Sequence, residues 1–285
     1  MQNFFVKSHG LGNDYIVLNS QEIDFELTEK AIRKICDVHY GIGSDGILLK
    51  VPSCSANFGV RILNPDGSEA EKSGNGLRIF AKYLYDYKFA HDNVFTIETP
   101  AGLVCATVIE EINGKAKTIK VDMGKANFVS AEIPVKCEHA ECFDETLMLE
   151  HNNYQINCVS VGNPHCVVLK DNLDEKEIKQ FGPQIEKHPM FPNRINVQFA
   201  KVVSPTEVEA IIWERGAGWT LASGSSACAV ASVMVKKGLA ERNLTIKMIG
   251  GNLKIEIDED WALTMTGEVK EIASGFLSPE LIADL

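Results

Sequence analysis

Two tetrapeptides carry side chains suited to joint action on one small molecule. Ser73-Gly74-Asn75-Gly76 and Ser223-Gly224-Ser225-Ser226 lie 150 positions apart. Each opens an apolar stretch of helical spacing: Leu77, Phe80, Ala81 and Leu84 after the first, Ala227, Val230, Ala231 and Met234 after the second. A helix start leaves backbone N–H groups without intrahelical partners, its dipole favours an anion, and glycine lets a ligand approach the backbone closely. Each tetrapeptide therefore reads as a cradle for a carboxylate or, more simply, as a serine N-cap. The occurrence of two copies at equivalent positions favours the cradle. Two such starts facing one ligand carboxylate would present one side chain to each face of its α-carbon. Stereoinversion needs that geometry, with one group removing a proton and the opposite group returning one.

The elements around these starts repeat as well. Gly12-Asn13-Asp14-Tyr15-Ile16-Val17-Leu18 returns as Gly162-Asn163-Pro164-His165-Cys166-Val167-Val168, and Arg61–Asn64 is matched by Ile211–Glu214. Phe95–Ile97 matches Leu244–Ile246 one residue out of step, and Val121–Gly124 resembles Thr264–Gly267. Short β-branched runs bounded by Gly, Asn, Asp or Pro read as strands at 15–18, 58–63, 94–98, 118–121, 166–169, 208–213 and 253–257. Helical spacing marks 27–36, 77–87 and 227–238. The expected fold is α+β: two pseudo-symmetric domains, each a curved mixed sheet wrapped around a central apolar helix. Their expected bounds are 1–127 and 128–272, with the tail 273–285 returning to the first. The boundary falls in 126–134, where no flexible linker is written.

Composition narrows the function classes. The chain has 285 residues, 45% of them hydrophobic, and a net charge of −11. Such a surface repels nucleic acid and anionic membranes, and no Lys/Arg cluster offsets it. Neither a signal peptide nor a membrane span is expected, so a soluble cytoplasmic protein is. The eight cysteines form no Cys-x-x-Cys pair. Cys137 and Cys142 flank His139, but their spacing matches no known ligand pattern, and no metal is expected. Free thiols are the default in a reducing compartment.

The segments His9–Tyr15, Gly41–Asp45, Asn64–Glu71, Ser73–Arg78, Gly162–His165, Asn196-Val197, Glu214–Gly216 and Gly224–Ala229 follow one another as in the diaminopimelate epimerase family, which the sequence resembles over nearly its whole length. The resemblance implies a homodimeric isomerase of lysine biosynthesis, acting on a small amino acid with neither pyridoxal phosphate nor metal, its site in the cleft between two similar domains. It implies that Gly74-Asn75 and Gly224-Ser225 hold the carboxylate at the reacting centre and that Glu214 takes the amino group. Asn13, Asn64, Asn163, Asn196 and Arg215 would fix the distal end of the substrate, and His165 would support the pocket. Read without the family, the asparagines are equally turn residues, Glu214 and Arg215 a solvated pair, and Cys228 packed core.

The chain departs from the family where the chemistry is done. The family's two catalytic cysteines, thiolate base and thiol acid, correspond to Ser73 and Ser223. A hydroxyl is a far weaker acid than a thiol, and neither motif shows a partner base. The two serines are either deliberate replacements of cysteine or the mark of a natural branch; Lys72 and the pair Ser225-Ser226, unusual for the family, favour the branch. Gly46 stands where the family often has a substrate-side Gln, and Trp219 where smaller or acidic residues are common. Three functions follow as expectations: epimerisation of LL- and meso-diaminopimelate, racemisation or dehydration of another amino acid such as histidine, or binding of an amino acid without turnover.

Overall fold

The computed structural model describes residues 2–150 and 152–285. The chain folds into two compact units, one formed by the residues up to Asp122 together with Thr266–Leu285, the other by Met123–Met265. The divisions fall inside the strands Lys115–Lys125 and Ala262–Glu268, not in a linker.

In the first unit, strand Phe4–Gly10 pairs antiparallel with Asn13–Asn19, which runs parallel to Ile47–Val51. The connection between these parallel strands holds helix α1, Glu29–Cys36, capped by Thr28. Ile47–Val51 pairs antiparallel with Phe58–Leu63, and Phe58–Leu63 runs parallel to Val94–Thr99. Helix α2, Gly74–Asp86, lies in that second connection. The sheet continues antiparallel through Gly102–Ile112 into Lys115–Lys125.

The second unit repeats this order. Asn153–Ser160 pairs antiparallel with Pro164–Leu169, which runs parallel to Asn196–Ser204, with helix α3, Glu175–Glu186, between them. Asn196–Ser204 pairs antiparallel with Glu207–Glu214, and Glu207–Glu214 runs parallel to Asn243–Met248, with helix α4, Gly224–Lys236, between. Gly251–Ile257 then pairs antiparallel with Asn243–Met248. The α+β fold with a mixed sheet and a central apolar helix is thus present in each unit. α3 was not foreseen, because Gly182-Pro183 reads as a break. It is capped by Asp174 and carries Pro183 in its last turn.

α2 and α4 bury eleven and ten of their thirteen residues respectively. Helices buried on nearly every side must be covered on every side. The one charged pair on α2 is neutralised internally: Lys82 lies 2.7 Å from Asp86 and donates to the Ala116 carbonyl, while Asp86 accepts the Ala116 N–H at 2.7 Å. Among the described residues, no helix is long and apolar enough to cross a membrane.

The tail belongs to the first unit. Lys270–Phe276 pairs antiparallel with Phe4–Gly10, and Leu277 is buried in a cluster with Phe5, Ile16, Leu18, Ile32 and Ile35. The short helix Pro279–Ala283 adds Leu281 and Ile282 to the same cluster. Truncating so well-buried a leucine removes transfer energy and leaves a cavity. Leu277→Ala is expected to cost about 2–4 kcal/mol in urea denaturation; a loss below about 1 kcal/mol would show that the tail is not part of the core.

Candidate active site

The first serine start is held by a phenol and a chain of amides. Ser73 has extended backbone, and its Oγ accepts the Gly76 N–H at 3.1 Å. The Gly74 and Asn75 N–H groups have no acceptor among the described residues; they are the orphan donors of a helix start. Tyr15 Oη lies 3.2 Å from Ser73 Oγ. Gly46 makes room for that ring: a Cβ there would lie 2.8 Å from Tyr15 Cε1 and 2.6 Å from the Leu63 carbonyl oxygen. Gly46 thus serves by having no side chain.

Arg78, fully buried, donates to Asn75 Oδ1 at 2.9 Å and to the Gly74 carbonyl at 3.3 Å. Asn75 Nδ2 donates to Asn13 Oδ1 at 3.2 Å, and Asn13 Nδ2 to Asp45 Oδ2 at 2.8 Å. A guanidinium can only donate and an ionised carboxylate only accept. Arg78 and Asp45 at the ends therefore set the orientation of both amides between them. Asn64 is engaged apart from this chain, within its own turn, where its Nδ2 donates to Ser68 Oγ at 2.9 Å.

The second start has a different support. Ser223, again extended, accepts the Ser226 N–H at 3.4 Å, and its Oγ lies 3.5 Å from Ser225 Oγ. The Gly224 and Ser225 N–H groups have no acceptor among the described residues. Gln198 Nε2 donates to Ser226 Oγ and to His165 Nδ1, both at 3.0 Å, and His165 Nε2 donates to Asn163 Oδ1 at 2.8 Å. Both ring nitrogens are therefore occupied. Burial pushes the imidazole down to about 3, and the Arg215 charge pushes the same way, so His165 is neutral at physiological pH and acts here as a strut. Asn196 Nδ2 donates to the Pro164 carbonyl and its Oδ1 accepts the Arg215 N–H, each at 2.9 Å. The Arg215 guanidinium donates to the Asn193 carbonyl at 3.1 Å. Glu214 ends its strand opposite Gly218. Trp219 packs on the core of its unit with Lys179 Nζ 3.9 Å above the ring. Cys228 is fully buried, as its place on the helix implied.

Within each unit most of the expected residues are joined. Ser73, Asn75 and Asn13 are grouped in one, Ser223, Ser225, His165 and Asn163 in the other. Sequence reasoning gave no role to Tyr15, Asp45, Arg78 or Gln198. Two of them had left a signal. Tyr15 and His165 are repeat equivalents, each two residues after an Asn, and Gln198 is a lone polar residue in the apolar run Val197–Ala200.

A family model described as diaminopimelate epimerase matches residues 5–129 and 157–272. A protein named diaminopimelate epimerase 2 from Nostoc sp. strain PCC 7120 is 46% identical over 98% of this chain and 97% of its own. One named diaminopimelate epimerase from Acetivibrio thermocellus is 42% identical over 95% and 97%. Among solved structures, a probable proline racemase from Agrobacterium radiobacter K84 superposes with a TM-score of 0.72 at 15% identity, covering 98% of this chain and 95% of that one. That likeness is one of fold.

The buried neutral imidazole carries a signature in stability. Its folded value, about 3, lies below the ordinary 6.5, so the unfolded chain binds the extra proton between those pH values and stability falls as the pH is lowered through that window. Above pH 6.5 the contribution is fully present; below about 3 it is lost. A His165→Gln variant is expected to lose less stability between pH 7 and pH 4 than the parent, read from urea midpoints. Equal losses would show that the imidazole titrates normally.

Proposed function

The chain belongs to the diaminopimelate epimerase family, and we propose that it interconverts LL- and meso-diaminopimelate by moving the α-proton between two opposed side chains, Ser73 and Ser223. The observation that carries this reading is the duplicated helix start: two serines, each followed by two backbone N–H groups without an acceptor among the described residues, in a chain that matches the family over nearly its whole length. Gly74-Asn75 and Gly224-Ser225 would receive the reacting carboxylate and Glu214 the amino group. Asn13, Asn64, Asn163, Asn196 and Arg215 would define the distal end. Arg215, able to grip a carboxylate with two N–H groups, suits that end. The family likeness also supports a cytoplasmic homodimer that needs no cofactor.

The weak point of a serine base is the alkoxide it must form. Tyr15 answers it on one side. A phenol is a stronger acid and a better donor than an aliphatic hydroxyl, and at 3.2 Å from Ser73 Oγ it can donate a hydrogen bond that stabilises a forming alkoxide. Ser73 would then act as base or acid with the phenol's support, while the side chain beside Ser223 is another aliphatic hydroxyl. The two directions of the reaction would therefore differ in rate-limiting group.

A second reading rests on the capping bonds. Both serine oxygens accept helix N–H groups, and a pair of hydroxyls so engaged suits an amino-acid-binding protein without turnover. One measurement separates the two. In deuterated water the parent chain is expected to wash deuterium into the α-carbon of diaminopimelate. Ser73→Cys/Ser223→Cys is expected to exchange it on the order of 10²-fold or more faster, the size of an acid–base contribution. Binding without exchange in both proteins would leave only the binding reading; exchange with a different amino acid and none with diaminopimelate would make the chain a racemase of that amino acid.

Tyr15→Phe isolates the phenol. It is expected to slow exchange by roughly tenfold or more while leaving KM within about twofold. A variant as fast as the parent would remove Tyr15 from the proton path.

A further inference from the structure

The second unit holds a cluster of metal-ligating side chains well separated in sequence from the serine starts. Cys137, His139 and Glu145 each offer one donor atom, and the three atoms lie within 4.8 Å of one another. Cys137 and His139 come from the loop before strand Glu145–Met148, and Glu145 is the first residue of that strand. Both loop residues converge on one oxygen: Cys137 Sγ donates to Glu145 Oε1 at 3.6 Å, and His139 Nδ1 meets the same atom closely. We propose that Cys137, His139 and Glu145 form a binding site for a borderline-soft divalent cation such as zinc, with water completing a tetrahedral shell.

The geometry and the charge both fit. Zn–S bonds near 2.3 Å and Zn–N and Zn–O bonds near 2.1 Å place tetrahedral donor atoms about 3.5 Å apart. Cys137 Sγ and Glu145 Oε1, 3.6 Å apart, already match that edge; His139 Nδ1 has to draw back from Glu145 Oε1, and no pair, all within 4.8 Å, has to close by more than roughly 1.3 Å. Glu141 and Asp144, the neighbouring acids, are neutralised by the last lysines of α4: Lys236 lies 2.9 Å from Glu141 and Lys237 2.5 Å from Asp144. Glu145 is addressed instead by a thiol and an imidazole, the partners a cation would replace. Asp144 has φ 52°, in the left-handed region, and its N–H donates to Asn157 Oδ1 at 3.2 Å. That turn between the loop and the strand brings Glu145 alongside Cys137 and His139.

Binding transfers the Cys137 S–H proton to solvent, since the ligand is the thiolate. Cys142 is fully buried and stands outside the converging set. The chain spacing conceals the set, because the third donor is Glu145 and not Cys142.

Cobalt(II) titrated into the reduced, metal-stripped protein reports such a site by its thiolate-to-cobalt absorption and tetrahedral d–d bands, and zinc should displace it. The parent is expected to take up about one equivalent. Cys137→Ser and His139→Ala should each weaken uptake by roughly tenfold or more, and Glu145→Gln should weaken it as well. Cys54→Ser, which removes an exposed thiol elsewhere, should leave the spectrum unchanged. His139 is exposed, so His139→Ala keeps the test sound if Cys137→Ser fails to fold. Absence of the thiolate band, or a band that survives both His139→Ala and Glu145→Gln, would overturn the proposal. Exchange at the α-carbon is read separately and should not respond to these variants.

Discussion

The constraint on which each unit depends is a helix buried on nearly every side. α2 and α4 are buried along nearly their whole length, so each sheet must curve around its helix, and sides, loops and sheet edges are committed to covering it. The N-terminal turn is the place where such a helix still presents polar groups with no partner inside the helix. Placing Ser-Gly there concentrates the orphan donors, the dipole and the permissive backbone at one point. The burial that stabilises the fold thus also defines where an anion can be received.

What surrounds each start is polar and one-directional. In the first unit hydrogen bonds run from Arg78 through Asn75 and Asn13 to Asp45; a buried guanidinium begins the chain and a carboxylate ends it, so neither amide can turn over without breaking two bonds. In the second the order runs from Gln198 through His165 to Asn163. Here the middle member is an imidazole kept neutral by burial, and neutrality lets one nitrogen accept while the other donates. The two copies share topology but differ in chemistry: a phenol touches Ser73, and a second hydroxyl touches Ser223.

Much of this was legible in the sequence, for physical reasons. The 150-residue offset marks equivalent strands and helices because burial on a repeated topology demands repeated apolar spacing. The same pairings, parallel across α1 and α3 and again across α2 and α4, appear in both units. α3 escaped because its sequence contains Gly182-Pro183, which reads as a break. Gly182 is there because a Cβ would press to 2.8 Å on Trp213 Cγ, a tertiary reason that local spacing does not encode. Gly46 was read through a family position, whereas its role in the fold is to admit the Tyr15 ring. Tyr15 itself lies 58 positions from Ser73; contacts of that range come from the sheet, not from a motif. Glu145 joined Cys137 and His139 in the same way, through a turn at Asp144 that residue spacing alone does not predict.

The serine starts bring the two levels into direct competition. As an N-cap, a serine oxygen accepts a backbone N–H, an interaction worth about 1 kcal/mol to its helix. As a base, the same oxygen must lose its proton and turn toward a substrate carbon. A thiol caps a helix poorly but ionises easily, whereas a hydroxyl caps well and ionises with difficulty. Serine at both positions therefore trades acidity for helix stability. At Ser73 a phenol, a better donor than an aliphatic hydroxyl, stands beside the capping oxygen. At Ser223 the neighbouring hydroxyl, Ser225, is no stronger an acid than Ser223 itself. The two starts thus differ in their chemistry, a phenol standing beside Ser73 and an aliphatic hydroxyl beside Ser223.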